Sequence, residues 1–413
     1  MGDLQQYHVV VIGGGAAGIF SAINVARLRP NWKVLVIEKT GKLLSKVKVS
    51  GGGRCNVTHA CFDKKQLSSY YPRGASLVKK MVHHFFTTDT IQWFKERGVE
   101  LKIEEDGRMF PVSNSSQSII DVLLGEASRN QVNFKLYTAV STIESTNNNF
   151  FTIHTNKGEL IQANHCCVAI GGMLNEKTLA WLKPYGHTLI SPAPSLFTFN
   201  APGHSIVKLM GISVPGVRVR IQGTKLEETG PVLITHWGLS GPAILRLSAW
   251  GARWLQENKY QFTLHLNWLE DQGWNSTNLA AFFDTQRDLQ PTKQLSTGGL
   301  FQLPKRLWAY FLSEADIHET CRFANLTAKQ KNKLIKLLTD QEIVVSGKTT
   351  FKEEFVTAGG LDCNQIDPVR MESKLVPGLF FAGEVMDVDG VTGGFNFQHA
   401  WCSGYLAAKA MAG

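Results

Sequence analysis

The chain has 413 residues, 43% hydrophobic and 19% charged, with 38 Gly and 10 Trp, which is enough for two or three domains with a well-buried core. That composition excludes a disulfide-stapled miniprotein, a long disordered tract, a coiled coil or a collagen-like repeat. Lys plus Arg number 43 against 34 Asp plus Glu, for a net charge of +9, and the excess is local: Lys39 to Lys80 holds ten cations against Asp63 alone.

In chain order, His8 to Ile12 is a short β-branched run, Ala16 to Arg29 has a helical pattern, and Lys33 to Ile37 is a second apolar run of strand length. This is a β-α-β unit of a parallel sheet. The uncharged stretch from His8 to Ala26 resembles a membrane span in length, but a cluster of three glycines interrupts it and Asp3 is the only charged side chain before it, so neither insertion nor export is expected. A helix is predicted near Ser116 to Asn130, and hairpin-like strands from Val140 to Ala163. The texture changes from Ser191 to about Asp340, first to strands around Ile212 to Ile234, then to helices around Leu279 to Leu289, Lys305 to Leu312 and Thr327 to Leu338. Glycine-rich α/β texture returns near Phe351, with a strand at Leu379 to Ala382 and a closing helix from Phe395 to Met411. The expected organisation is a discontinuous first domain, residues 1–190 and 341–413, carrying an inserted substrate or cap domain at 191–340. Seven cysteines with no CxxC pair point to neither a disulfide framework nor a zinc site, and a reducing cytoplasm is the expected compartment.

Gly13-Gly14-Gly15-Ala16-Ala17-Gly18 follows a strand and opens a helix, and Glu38 ends the next strand 20 residues after Gly18. Gly13 permits the tight turn, Gly15 admits a pyrophosphate close to the main chain, and Gly18 lets helix pack on strand. The N–H groups at Ala16 and Ala17 begin a helix whose positive end faces the phosphates. Glu38, with Lys39 beside it, is placed for a ribose diol, and its charge disfavours a 2′-phosphate. The C-terminal region separates FAD from NAD: Gly383-Glu384 ends a buried strand, and Gly393-Gly394-Phe395-Asn396 opens the last helix. Glu384 suits a ribitol hydroxyl, and the helix dipole suits negative charge at the pyrimidine edge of a flavin. Between these lies Ser50-Gly51-Gly52-Gly53-Arg54-Cys55-Asn56, where three glycines bring main chain near a flat ligand and Arg54 offers a positive charge. Cys55 reads better as a buried thiol than as a redox group, for lack of a partner cysteine.

These strings, together with Gly107-Arg108-Met109-Phe110-Pro111, Thr235-His236-Trp237-Gly238-Leu239-Ser240-Gly241-Pro242, Met371-Glu372-Ser373-Lys374 and Ala382 to Gln398, resemble the YhiN/BaiN-like (aminoacetone-oxidase-like) flavoproteins. The likeness runs over most of the chain and is weakest from Trp250 to Asp340. It implies an α/β fold: a glutathione-reductase-type FAD-binding Rossmann domain with an inserted β-rich plus helical domain. It also implies that Lys46 and Gly51 to Asn56 lie along the cofactor, that Val140 offers backbone to adenine, and that Ala169 to Gly172, including Gly171, form a second glycine turn. The chain departs from the family pattern where Gly171-Gly172 leads into Met173-Leu174-Asn175-Glu176.

The function expected is an FAD-dependent oxidoreductase acting on a small organic substrate. It is read as a reductase using NAD(P)H transiently, because no second GxGxxG provides a nicotinamide domain. Candidate catalytic residues are Asn396 and His236, the latter weighed against a plain turn histidine. The alternatives are an oxygen-dependent amine oxidase and a flavin-containing RNA-binding or RNA-modifying protein. The basic segment motivates the last of these, but sparse aromatics (Phe62, Tyr70, Tyr71) and no RNA-binding motif argue against it. No GxSxG or HExxH supports a hydrolase or metalloprotease.

Overall fold

A computed structural model describes residues 5–145, 150–172, 176–297, 300–349 and 356–413. The chain divides into two compact units, Met1–Pro194 with Phe351–Gly413, and Ser195–Thr350.

The first unit is built on the sheet that the opening motif begins. Strand β1 (Gln5–Ile12) leads into helix α1 (Ala16–Leu28) and strand β2 (Val34–Ile37). Helices α2 (Lys64–Ser69) and α3 (Ala75–Met81) follow, then strands β3 (Asn133–Lys135), β4 (Val140–Ser145), β5 (Phe151–Thr155) and β6 (Leu160–Val168). Strand β7 (Leu379–Phe381) and helix α4 (Phe395–Ala412) close the unit. The order β3-β2-β1-β6 is parallel throughout, and β7 joins the far edge of β6, also in parallel. The antiparallel meander β4-β5-β6 shares that edge through the first half of β6. Val9, Val10 and Val11 are fully buried, as a strand covered on both faces requires. Cys166 and Cys167, successive residues of β6, point to opposite faces and are both buried. The uncharged stretch from His8 to Ala26 is this central strand and the helix behind it. Among the described residues no helix is long and apolar enough to cross a membrane.

α1 and α4 pack directly on each other. A Cβ at Gly404 of α4 would lie 2.7 Å from the Ala17 carbonyl oxygen, and one at Gly383 would lie 2.8 Å from the Ala17 Cβ. The two helices therefore meet at backbone distance, which only residues without a side chain permit.

The second unit is a seven-stranded sheet with helices against it. Its central pair, Ser213–Ile221 and Glu227–Ile234, is antiparallel. The sheet extends past Asp340: Gln341–Ser346 pairs with Gln261–Asn267, and Lys348–Thr349 with Thr198–Asn200. Its core includes Trp268, Phe283, Phe311 and Leu338.

The contact at Gly404 decides between two opposing effects. Helix propensity alone would make Gly404→Ala stabilising by about 1 kcal/mol. The clash with the Ala17 carbonyl belongs to overpacking changes, which cost about 1–3 kcal/mol. Gly404→Ala is expected to lower the denaturant midpoint, and a midpoint equal to or above that of the parent would contradict the close approach.

Candidate functional site

The glycine loop after β1 is shaped by contact with itself and with the turn after β6. A Cβ at Gly13 would overlap the Ala169 carbonyl, and one at Gly18 would overlap the Gly13 carbonyl. Gly15 differs from both: its backbone is extended (φ −85°, ψ −172°) and none of the described residues lies within 4 Å of where a Cβ would be. α1 starts at Ala16 and Ala17 with no side-chain cap and no acidic residue in its first turn. Unmasked N–H groups at a helix start, facing open space, form an anion cradle.

Glu38 braces this cradle. One carboxylate oxygen accepts from the Gly14 N–H at 2.8 Å, and the other from the Thr40 N–H and hydroxyl, each at 2.9 Å. The oxygen that accepts from Gly14 keeps a further lone pair for a ribose hydroxyl. Lys39 next to it is exposed. Val140 starts β4 opposite Thr155. Ala169 donates its N–H to Ile12 at 2.8 Å, which locks the second turn against β1. At Gly171 (φ +78°), as at Gly52 and Gly53, no described residue lies within 4 Å of where a Cβ would be. Met173 to Asn175, where the chain departs from the family pattern, and the Glu176 side chain lie outside the described residues.

At the same carboxyl end of the parallel strands, Gly383 and Glu384 form a short turn after β7. Glu384 accepts from the Thr357 N–H at 2.9 Å and pairs with the Lys46 ammonium at 2.6 Å. The Thr357 hydroxyl, buried nearby, has no partner among the described residues. An orphaned hydroxyl beside a carboxylate, an open glycine at each turn and an uncapped helix start together fit an elongated dinucleotide that runs from Glu38 to Glu384.

Residues 51–56 divide in what they do. Gly51 has φ +57°, and a Cβ there would lie 2.7 Å from the Phe110 ring. Arg54 is not a free charge: it pairs with Glu104 at 2.6 Å and lies over the Phe110 ring at 4.0 Å. Cys55 is fully buried, and burial pushes its thiol up to about 12, so it stays protonated and inert. In the amide orientation that satisfies both ends, Asn56 donates to Thr58 O at 2.9 Å and accepts from the Gly394 N–H at 3.0 Å. It thereby ties the loop to the start of α4.

Gly394 takes a positive φ of 97° as the N-cap of α4, and its Cβ would meet the Thr58 carbonyl at 2.5 Å. Phe395 is buried. Asn396 uses both ends of its amide on Gly390, accepting from N–H at 2.8 Å and donating to O at 2.9 Å. It holds the preceding loop with its oxygen and one amide hydrogen, and the second amide hydrogen remains. His236 lies in the second unit, exposed in a turn closed by the Thr235 N–H to Gly238 O bond at 2.8 Å, with its ring 4.4 Å from that of Trp237.

No motif in the sequence marks His59 or Tyr70, yet both stack on Phe395, with ring centroids at 4.6 and 4.4 Å. His59 also shares a hydrogen bond with the Gly393 carbonyl at 3.0 Å, and burial pulls its ring toward the neutral form. Asp389 is fully buried and paired with Arg73. The available signal was that glycines at 393 and 394 require a close neighbour, which His59 and Thr58 supply.

The chain is 30% identical over 417 residues to a ribosomal RNA dihydrouridine synthase of Escherichia coli K12, covering 98% of each chain. It is 28% identical over 414 residues to a 3-dehydro-bile acid delta(4,6)-reductase of Clostridium scindens, covering 97% of this chain and 98% of that one. Among solved structures, a 3-ketosteroid-delta4-(5alpha)-dehydrogenase from Rhodococcus jostii RHA1 matches 99% of this chain and 97% of its own, at 13% identity and a TM-score of 0.53, a likeness of fold. The profile of the HI0933-like protein Rossmann domain matches residues 7–410. The chain belongs to this HI0933-like family, and it is an FAD-dependent oxidoreductase.

Proposed function

We propose that the protein is a reductase that uses NAD(P)H to saturate a carbon–carbon double bond conjugated to a carbonyl. One observation carries this reading. Two relatives that match end to end are named for a nucleoside and for a steroid, and the two named reactions share a single outcome, reduction of such a bond. When bound, FAD supplies the hydride chemistry, and the protein positions it.

In this reading the chain's residues bind and orient. Gly13, Gly15, Ala16, Ala17 and Gly18 hold the pyrophosphate, Glu38 and Lys39 the adenosine ribose, and Val140 the adenine edge. Ala169 and Gly171 form the second turn along the dinucleotide. Glu384, paired with Lys46, takes a ribitol hydroxyl. The start of α4 at Gly394 and Phe395 places its positive end toward the pyrimidine edge. Gly51, Gly52 and Gly53 leave one face accessible, and Arg54, Cys55 and Asn56 set the shape of that loop. Asn396 acts as a positioning residue through Gly390, and His236 is a candidate for exchanging protons with the substrate. Nicotinamide visits the open face, since the sequence has no second fingerprint to bind it.

A second substrate reading, an RNA-embedded uracil, is favoured by one observation: Lys39, Lys42, Lys48, Lys65, Lys79 and Lys80 are exposed, a surplus of positive charge suited to a polyanion.

The cradle has a direct test. Gly15→Val adds atoms where no described residue lies and keeps an ordinary φ, so the variant is expected to fold, at a helix-cap cost of about 1 kcal/mol, but to lose FAD. Retention of FAD at the parent level after identical dialysis would contradict the assigned pyrophosphate position.

Electron flow has its own test. Under anaerobic rapid mixing, NADH or NADPH is expected to bleach the flavin, with little preference between them, and a conjugated enone to restore its colour. If neither nicotinamide bleaches it while a primary amine does, the protein is an amine oxidase.

A further inference from the structure

The basic segment looks poor in aromatics when read along the sequence, but the fold changes its surroundings. Tyr71 is buried, its hydroxyl donating to the Phe395 carbonyl at 2.7 Å, so it anchors the segment and is not a surface ring. Tyr70 instead lies half-buried on Phe395, with His59 on the same ring and 6.0 Å from Tyr70. Phe62, just before α2, is 55% exposed. Three rings from separate parts of the sequence thus gather at the start of α4, and a fourth stands beside α2.

The helices that follow are cationic on their open side. In α3, Leu77, Val78 and Met81 are buried, while Ser76, Lys79 and Lys80 are exposed, as is His83 one turn on. α2 carries Lys64 and the exposed Lys65. Asp63, the one acid between Lys39 and Lys80, is used up as the N-cap of α2, accepting from the Gln66 N–H at 2.7 Å. Among the described residues Lys65, Lys79 and Lys80 form no ion pair. The connection between the two helices is fixed to the loop before α4. Arg73 pairs with the buried Asp389, and the Val391 N–H donates to Tyr70 O at 2.9 Å. A solvated face that merely complements the helix dipole explains Lys79 and Lys80 at the end of α3. It does not explain Lys64 and Lys65 at the opposite, unfavourable end of α2, nor the rings beside them.

Lysines that track a backbone next to ring faces that accept bases are the physical signature of single-strand nucleic-acid binding. We infer that α2, α3 and the His59–Phe395–Tyr70 stack form a docking surface for a single-stranded segment of RNA. Lys65, Lys79 and Lys80 take phosphates, and Tyr70 and Phe62 take base faces. RNA is the partner chosen because its uracil carries the conjugated double bond of the proposed reaction, and in that respect the inference rests on the reductase reading.

The test uses the flavin-loaded protein and a short fluorescein-labelled oligouridylate, titrated over a range of salt. The Lys65→Ala/Lys79→Ala/Lys80→Ala variant is expected to keep its FAD occupancy and its rate of reduction by nicotinamide. Its affinity should fall about ten- to a hundred-fold at low salt, and its log–log salt slope should flatten by about 2, at roughly 0.7 per single-strand phosphate contact. Tyr70→Ala should weaken binding about ten-fold, with Tyr70→Phe restoring it. No binding by the parent, an unchanged slope in the triple variant, or preferential capture by anionic vesicles or by oligodeoxythymidylate would overturn the inference. Reoxidation of the reduced flavin by a small enone without RNA binding defeats the docking surface alone. Lysine-dependent RNA binding with no alkene reduced defeats the reductase reading and leaves the surface standing.

Discussion

The first unit depends on main chain approaching main chain at Gly13, Gly18 and Gly404. At each position a side chain would collide with a backbone carbonyl, of Ala169, Gly13 and Ala17 respectively. These contacts fix α1 between the parallel sheet and α4, and so fix where its positive end points. The same requirement does not apply at Gly15, where no described residue comes within 4 Å of a Cβ. Glycine there leaves room for something that is not protein. The contrast between filled and empty glycines distinguishes a packing motif from a binding motif within a single six-residue string.

Both carboxylates of the site are built into the framework. Glu38 fastens the glycine loop to the end of β2 through Gly14 and Thr40, and Glu384 fastens the turn after β7 to Thr357 and Lys46. A carboxylate held by two fixed donors keeps its orientation before a ligand arrives, which lowers the ordering cost of binding. Among the described residues the Thr357 hydroxyl, beside Glu384, is a buried polar atom left without a partner.

Much of this architecture was legible in the sequence because local patterns determine it. The β-branched run at His8 to Ile12, the helix from Ala16 and the strand at Leu379 need only periodicity and turn chemistry to be read, and the α/β class follows. What could not be read were partnerships between distant segments. Arg54 looked like a charge awaiting an anion, but Glu104, 50 residues on, already neutralises it. Asn396 carried no sign in the sequence of its bonds to Gly390, which take its oxygen and one amide hydrogen. Tyr70 looked isolated until the fold set it against Phe395. Each depends on a tertiary contact that leaves no spacing signal. The strands past Asp340 were missed for a related reason: their partners lie some 80 residues or more earlier, at Gln261–Asn267 and Thr198–Asn200.

The central claim is that one extended FAD spans the unit from Glu38 to Glu384 over the open Gly15. A crystal structure of the flavin-loaded protein tests it most directly. The expected result is pyrophosphate density over the first turn of α1 with the ribitol against Glu384. Density for the pyrophosphate elsewhere, or a flavin whose ribitol makes no contact with Glu384, would contradict it.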